Sequence, residues 1–410
     1  MTGAAPCGRR AAPARRDGLL FKYRDALEFP LAGAGRPDFS VPACVYIEPP
    51  ARPREFVRHA AEFHLDPDGV GLFSSFPQDT ITSPPPFVVF ARNARVTGFR
   101  TILSEDGFFF NDDSISEGPQ RNGFLKQLGM PHPLDEETGF SSAGDGGVFG
   151  LTLGKRSVQK IRGTTVVLTS AEPSNYGSWL FRVLPKLHSL NRSDATKGRQ
   201  VRYLVWCEIP SFRDYLDLFG IPEDRVIRHD TRDSVYELER AIVPSMRNNQ
   251  AFLDPETVAL FARIREKFGA RRKRNIRLYV SRLSQKRVGN GREMRNEPEL
   301  IDRLVGMGFR AVCPETLSVV EQIALFSSAE MVVGPSGSGM FNIVFCRPGT
   351  KVIDIESEPH WIHAHRSLFS SAGMRYGIMV GAAADKDFKQ HHKPWSVNIE
   401  ALIAQIKAWT

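Results

Sequence analysis

The chain has 410 residues, 41% of them hydrophobic and 24% charged, which suits two or three globular domains and excludes a wholly disordered protein. No apolar run approaches the roughly 18 residues of a membrane helix, and no secretory leader is legible, so a cytoplasmic protein is expected. The net charge of +8 suits phosphorylated substrates, an anionic membrane face or nucleic acid.

The five cysteines are odd in number and form no CxxC pair. This argues against a disulfide framework or a zinc knuckle and for core thiols in a reducing compartment. Residues 1–40 lack periodicity, carry Arg9, Arg10, Arg15 and Arg16, and predict a disordered basic tail. From 41 to about 150 the composition predicts short strands. Within FVVFARNARVTGFRTILSEDGFFFNDDS (residues 87–114) turns are expected at Asn93, Gly98 and Asp106-Gly107.

The texture changes near residue 160. TTVVLT (164–169) reads as a strand. SNYGSWLFRVLPKLHSLN (174–191) has helical spacing, a Ser174 N-cap and a kink at Pro185. VRYLVWC (201–207) and RAIVP (240–244) read as further strands. The last third alternates helix and strand: a helix over 255–268, the strand IRLYVS (276–281), a helix from Pro298 to Leu304, and FRAVC (309–313). A helix over 318–328, MVVG (331–334) and KVIDIE (351–356) follow. The fold class predicted is α/β, with a β-rich start and two doubly wound domains facing a cleft, bounded at 41–245 and 246–385. Residues 386–410 end in an amphipathic helix, with Ile399, Leu402, Ile403 and Ile406 on one side, expected to pack back on the fold.

The loop after MVVG reads GPSGSGMFN, with Gly334, Gly337 and Gly339. Glycines let the backbone approach a ligand, and a helix starting near Gly339 or Met340 would offer amides to a phosphate. The pattern fits none of three standard signatures. Asn342 stands where GxGxxG wants glycine, the G-x-S-x-G elbow lacks its last glycine, and no GK[ST] follows. Asp354 and Glu356 end the next strand, which keeps a nicotinamide-dependent oxidoreductase open. Arg282, Lys286 and Arg287 follow a strand end, where cations suit a diphosphate. Ser318 and Glu321 form a capping-box pattern. His360, His363 and His365 have a spacing that a metal could use, but no cysteine or acid completes a set, and no metal is expected.

Four segments together resemble glycosyltransferase family 61: NYGSWLFRVLPKL (175–187), YVSR (279–282), PETLSVVEQ (314–322) and GPSGSGMFNIVFCRPGTKVIDIE (334–356). The resemblance implies a GT-B-like fold and transfer of a sugar from a nucleotide-activated donor, commonly with inversion and without an essential metal or other cofactor. It implies a role in bacterial-type surface polysaccharide assembly. The acceptor would be a glycan or lipid-linked, with peripheral contact to an anionic membrane and no nucleic-acid partner. It implies donor contacts at Arg282, Glu321, Ser336, Gly337, Ser338 and Asn342, and an acceptor side at Asn175 and Tyr176; Arg287 is added to the donor side for its place after the strand end, and Ser178 and Arg182 to the acceptor side for their place in the first segment.

The chain departs from the family pattern where Ser178 and Ser336 replace histidines, Arg182 replaces an acid and Lys186 replaces an arginine. His360, Glu356 and Asp354 are therefore the candidate catalytic groups. The same departures motivate an alternative, a sugar-nucleotide-binding protein without turnover.

Overall fold

The computed structural model describes residues 19–32, 37–49, 51–71, 77–112, 140–142, 148–151, 156–170, 172–247, 252–270, 275–284, 293–357, 359–383 and 394–409. Two sheets organise them. The second is all parallel, in the order Phe309–Val312, Ile276–Val280, Ala329–Pro335, Lys351–Glu356, Arg375–Val380, with Phe63–Leu65 at the edge. Its strands run as near-continuous buried sequence because both faces are covered. Alternate residues serve different cores. Tyr279, Met331, Val333, Ile353 and Met379 face the helices Glu297–Gly306 and Ile399–Trp409, while Leu278, Val280, Val332, Val352 and Ile378 face the opposite core. On the terminal helix Ile399, Leu402, Ile403 and Ile406 are all buried. At about 2 kcal/mol for each large aliphatic side chain, they account for its docking.

The first sheet is mixed. Its parallel part runs Val226–Arg228, Val201–Val205, Ser157–Leu168, Ser234–Pro244, and Phe87–Thr97 then continues it antiparallel. Asn93 does not end that strand. It takes φ 46° inside it and the strand continues, whereas Gly98 and Gly107, at φ 58° and 84°, do make turns. One core is shared by both halves, since Val166, Leu168 and Ile242 of the first sheet join the same buried cluster as Val280, Val332 and Val352 of the second.

Three further expectations need correction. Leu19–Tyr23 is a strand paired with Val148–Leu151 and Phe108–Phe110, and Ala26–Glu28 is a 3-10 turn, so the described part of the predicted tail is partly ordered into the fold; residues 1–18 and 33–36 lie outside the described residues. The boundary at 245 is crossed, because Phe63–Leu65 completes the second sheet. Its Phe63 ring lies where a side chain at Gly377 would begin, 2.1 Å from an added Cβ. Third, the helix over the first family-like segment is interrupted as well as capped. Tyr176–Ser178 is α, Trp179–Val183 is a π turn and Leu184–Arg192 is α again. Pro185 has no N–H for the carbonyl four residues back, and the widened turn takes up the mismatch. Asn175, not Ser174, is the N-cap, its side chain accepting from Ser178 N.

Candidate functional site

In a parallel sheet ordered 2-1-3-4-5, the crevice opens where the connections diverge, at the carboxyl ends of strands one and three. Here those are Ile276–Val280 and Ala329–Pro335, and Arg282 and the glycine loop meet there. The turn after Val280 is pinned by the buried Glu297 carboxylate, which accepts from Arg282 N at 2.7 Å, Ser281 Oγ at 2.9 Å and Tyr279 Oη at 3.3 Å. Burial, and then the charge of Glu297, push the Tyr279 phenol well up. Thus held, Arg282 donates from Nη1 to the Ser336 carbonyl at 2.8 Å. Glycine is required at 337 for this approach, since a Cβ there would lie 2.4 Å from Nη1. Gly334 is equally constrained, its place for a Cβ being 2.8 Å from the Val280 carbonyl.

The loop leads into a 3-10 helix, Ser338–Phe345, with Gly337 at its cap and no side chain capping it. Ser338 is half-buried and Ser336 is buried. Ser336 Oγ donates to Asp354 Oδ1 at 2.6 Å, and His365 Nδ1 lies 3.0 Å from Asp354 Oδ2 and 3.2 Å from Ser336 Oγ.

Two halves meet beside this loop. Tyr176 Oη lies 2.7 Å from Asn342 Oδ1, 3.0 Å from Gln322 Oε1 and 2.8 Å from Tyr215 Oη. Asn342 Nδ2 donates to Gly339 O and Gln322 Nε2 to Leu317 O, which turns both amide oxygens toward the phenol. Burial pushes the Tyr176 hydroxyl far up. Gly177 lets the helix seat on Phe341, whose ring is 2.2 Å from where a Cβ would stand.

Residues 176–353 match the family model of glycosyltransferase 61. The family-61 segment thus begins at Tyr176 and includes Arg282, the glycine loop and Asn342. It supports a glycosyltransferase and gives no support to the nicotinamide reading. No curated protein matches the chain.

Measured against that segment, the candidate residues divide. Arg282, Ser336, Gly337 and Ser338 are brought together. Asn342 and Tyr176 are tied to each other behind the loop, and Asn175 is the helix cap. Glu321 completes a capping box, accepting from Ser318 N at 2.8 Å and from Ser318 Oγ at 2.7 Å. Those donors, hydroxyl first, lower its carboxyl from the ordinary value. Ser178 pairs with Ser170, and Arg182 with Glu172 at 3.1 Å. Of the candidate catalytic groups, Asp354 and Glu356 are fully buried. Asp354 has both oxygens engaged, and Glu356 accepts from Ser357 N at 2.8 Å. In this arrangement Asp354 holds the loop and does not face solvent as a free base. His360 stands in the helix Pro359–Ser371, but its side chain lies outside what is described, as does Arg287 altogether.

Sequence reasoning missed two charged sites. Lys186 is fully buried and joins Asp112, while donating to Thr169 O at 2.6 Å. Burial alone would raise the Asp112 carboxyl, but Arg100 and Lys186 outweigh it and hold it at about 2. The second is Arg247, which bridges Glu48, Ser189 and Asp254, the last also bound by Arg54 at 2.6 Å. Neither is legible as a whole in the sequence, because Asp112 and Lys186 lie 74 positions apart and Arg247 lies 199 from Glu48 and 58 from Ser189. Among the described residues no group of three His, Cys, Asp or Glu could hold a metal ion, and no helix is long and apolar enough to cross a membrane.

Proposed function

We propose that this chain transfers a sugar from a nucleoside-diphosphate donor to a hydroxyl of a glycan or lipid-linked acceptor, in a two-domain arrangement of the GT-B kind. The observation that carries the reading is Arg282 laid against Gly337 at the switch point of the parallel sheet. A guanidinium matches a phosphate in charge and geometry. The uncapped amides at the start of Ser338–Phe345 add donors of the same sense.

In that reading the diphosphate lies over Gly337 and Ser338. Arg282 and the loop amides offset the charge that grows on the departing nucleoside diphosphate as the anomeric bond breaks. The acceptor hydroxyl attacks from the opposite face and inverts the centre. A base takes its proton, and His360 is the candidate that the Asp354 arrangement leaves in place. The net charge of +8 favours approach to an anionic membrane where lipid-linked acceptors reside.

The test is thermal stabilisation of the full chain by UDP, GDP, CMP and NADP at high excess, with Arg282→Ala alongside. A ligand selective for the folded state at ~100 times its dissociation constant stabilises by about 2.7 kcal/mol. A shift with one nucleotide of the transferase donors, lost in Arg282→Ala, is expected. A shift with NADP alone, or one that survives Arg282→Ala, refutes the assignment.

A further inference from the structure

His365 lies outside the family-61 segment, and none of the chemistry above uses it. It projects from the helix Pro359–Ser371 and is 1% exposed, as is Ser336, with Asp354 at 0%. Its ring is held edge-on by Phe341 at 4.8 Å and by Phe369 at 5.6 Å. A carboxylate only accepts, so the 3.0 Å contact between Nδ1 and Asp354 Oδ2 requires hydrogen on Nδ1. Ser336 must likewise donate its hydroxyl to Oδ1. Both oxygens of a carboxylate in a dry interior are thereby satisfied, a condition that buried charge demands.

Ser336 is then fixed at each of its polar groups. Its N–H donates to Ile355 O at 2.8 Å, its hydroxyl to Asp354, and its carbonyl accepts from Arg282. The contact differs from that of a hydrolytic triad, because serine and carboxylate share the same ring nitrogen, Nδ1, and the serine proton points at the carboxylate. The cluster therefore holds a peptide in place and does not prime a nucleophile.

We propose that His365 is a positioning residue for the anion site, acting through Asp354 and Ser336 to set the peptide on which Arg282 rests. The proposal rests on the reading that Arg282 meets donor phosphates. Without the imidazole at Oδ2, Asp354 shifts toward its remaining donors, Ser336 and the neighbouring Tyr376 hydroxyl, the Ser336 carbonyl moves, and Arg282 loses its bearing against Gly337.

The experiment is calorimetric titration of inorganic pyrophosphate into the full chain, its Arg282→Ala, Ser336→Ala, His365→Phe and His365→Asn variants. Asparagine presents an amide donor near the place of Nδ1, whereas phenylalanine fills the space without one. Connected residues couple by energies on the order of a tenfold change in affinity. Ser336→Ala and His365→Phe are each expected to bind about tenfold more weakly, His365→Asn to recover most of that loss, and Arg282→Ala to lose binding. Wild-type affinity in both Ser336→Ala and His365→Phe, with Arg282→Ala still defective, overturns the positioning role and leaves the anion site standing. Failure of His365→Asn to recover affinity that His365→Phe has lost also overturns it. Unchanged binding in Arg282→Ala, or none in the wild type, refutes the anion site itself, and the positioning role with it. Should His365→Phe not fold, Ser336→Ala, which removes a single oxygen, decides the matter.

Discussion

Replacing Lys186 by methionine keeps the length of the side chain and removes its charge, leaving Asp112 to Arg100, which donates from Nε at 2.6 Å. An ordinary aspartate titrates near 3.8 and Asp112 is held at about 2, a difference worth roughly 2 kcal/mol of stability at neutral pH. Breaking a buried pair costs about 3–5 kcal/mol when the remaining charge has no other partner. With Arg100 retained, the loss expected at pH 7 is at the lower end, about 3 kcal/mol. Because the folded carboxyl is depressed, its contribution is complete above pH 3.8 and disappears as pH falls through about 2. In Lys186→Met that acid loss moves to higher pH. Urea unfolding followed by tryptophan fluorescence at pH 7, and melting temperature against pH, read both effects. Adding Asp112→Asn should recover part of the loss, since the carboxylate left short of a cation is then gone, although Arg100 gives up its ion pair. A loss below about 1 kcal/mol at pH 7, or no recovery in the double variant, would falsify the claim that the pair is buried and coupled.

Gly177→Ala forces a methyl group into the Phe341 ring and should cost about 1–3 kcal/mol, seen as a lower melting temperature. Gly337→Ala displaces only the flexible end of Arg282; the fold should survive, and the stabilisation by nucleoside diphosphate should fall toward that of Arg282→Ala. Tyr176→Phe removes the single hydroxyl hydrogen for which the Asn342 and Gln322 amide oxygens compete and should destabilise by about 1–3 kcal/mol in chemical denaturation. Ser318→Ala removes a capping box at about 1 kcal/mol and should leave nucleotide binding as it was, which a matched thermal-shift titration checks.

Periodic segments were legible in the sequence because their pattern is local. The helix Pro255–Phe268 and the strands Ile276–Val280 and Lys351–Glu356 lie within a residue of where spacing puts them. The glycine loop was legible as a loop, and the strand order then explains why it matters, since only the order places Arg282 beside Gly337. What local pattern cannot carry is partnership over distance. Asp112 looks like a polar loop residue until Lys186, 74 positions away, is folded against it. Phe63-His64-Leu65 is too short to announce a strand, and its pairing partner lies more than 300 residues on. Histidine 365 was visible as one of three spaced histidines, but its relation to Ser336 exists only in space. Glu321 shows the reverse case: its local capping signal was readable and accounts for its contacts.

The edge strand Phe63–Leu65 carries a consequence for how the molecule can move and be handled. The polypeptide passes between the halves around residues 48–53, again around 84–86, and once more around 245–254. Three crossings, together with the buried cluster that both sheets share, tie the two sheets to each other more firmly than a single linker would. For the same reason the second half is not a separable piece. Expressed from residue 246, it would bare the backbone of Arg375–Val380 and leave a slot beside Gly377, an open template on which a stray strand could add.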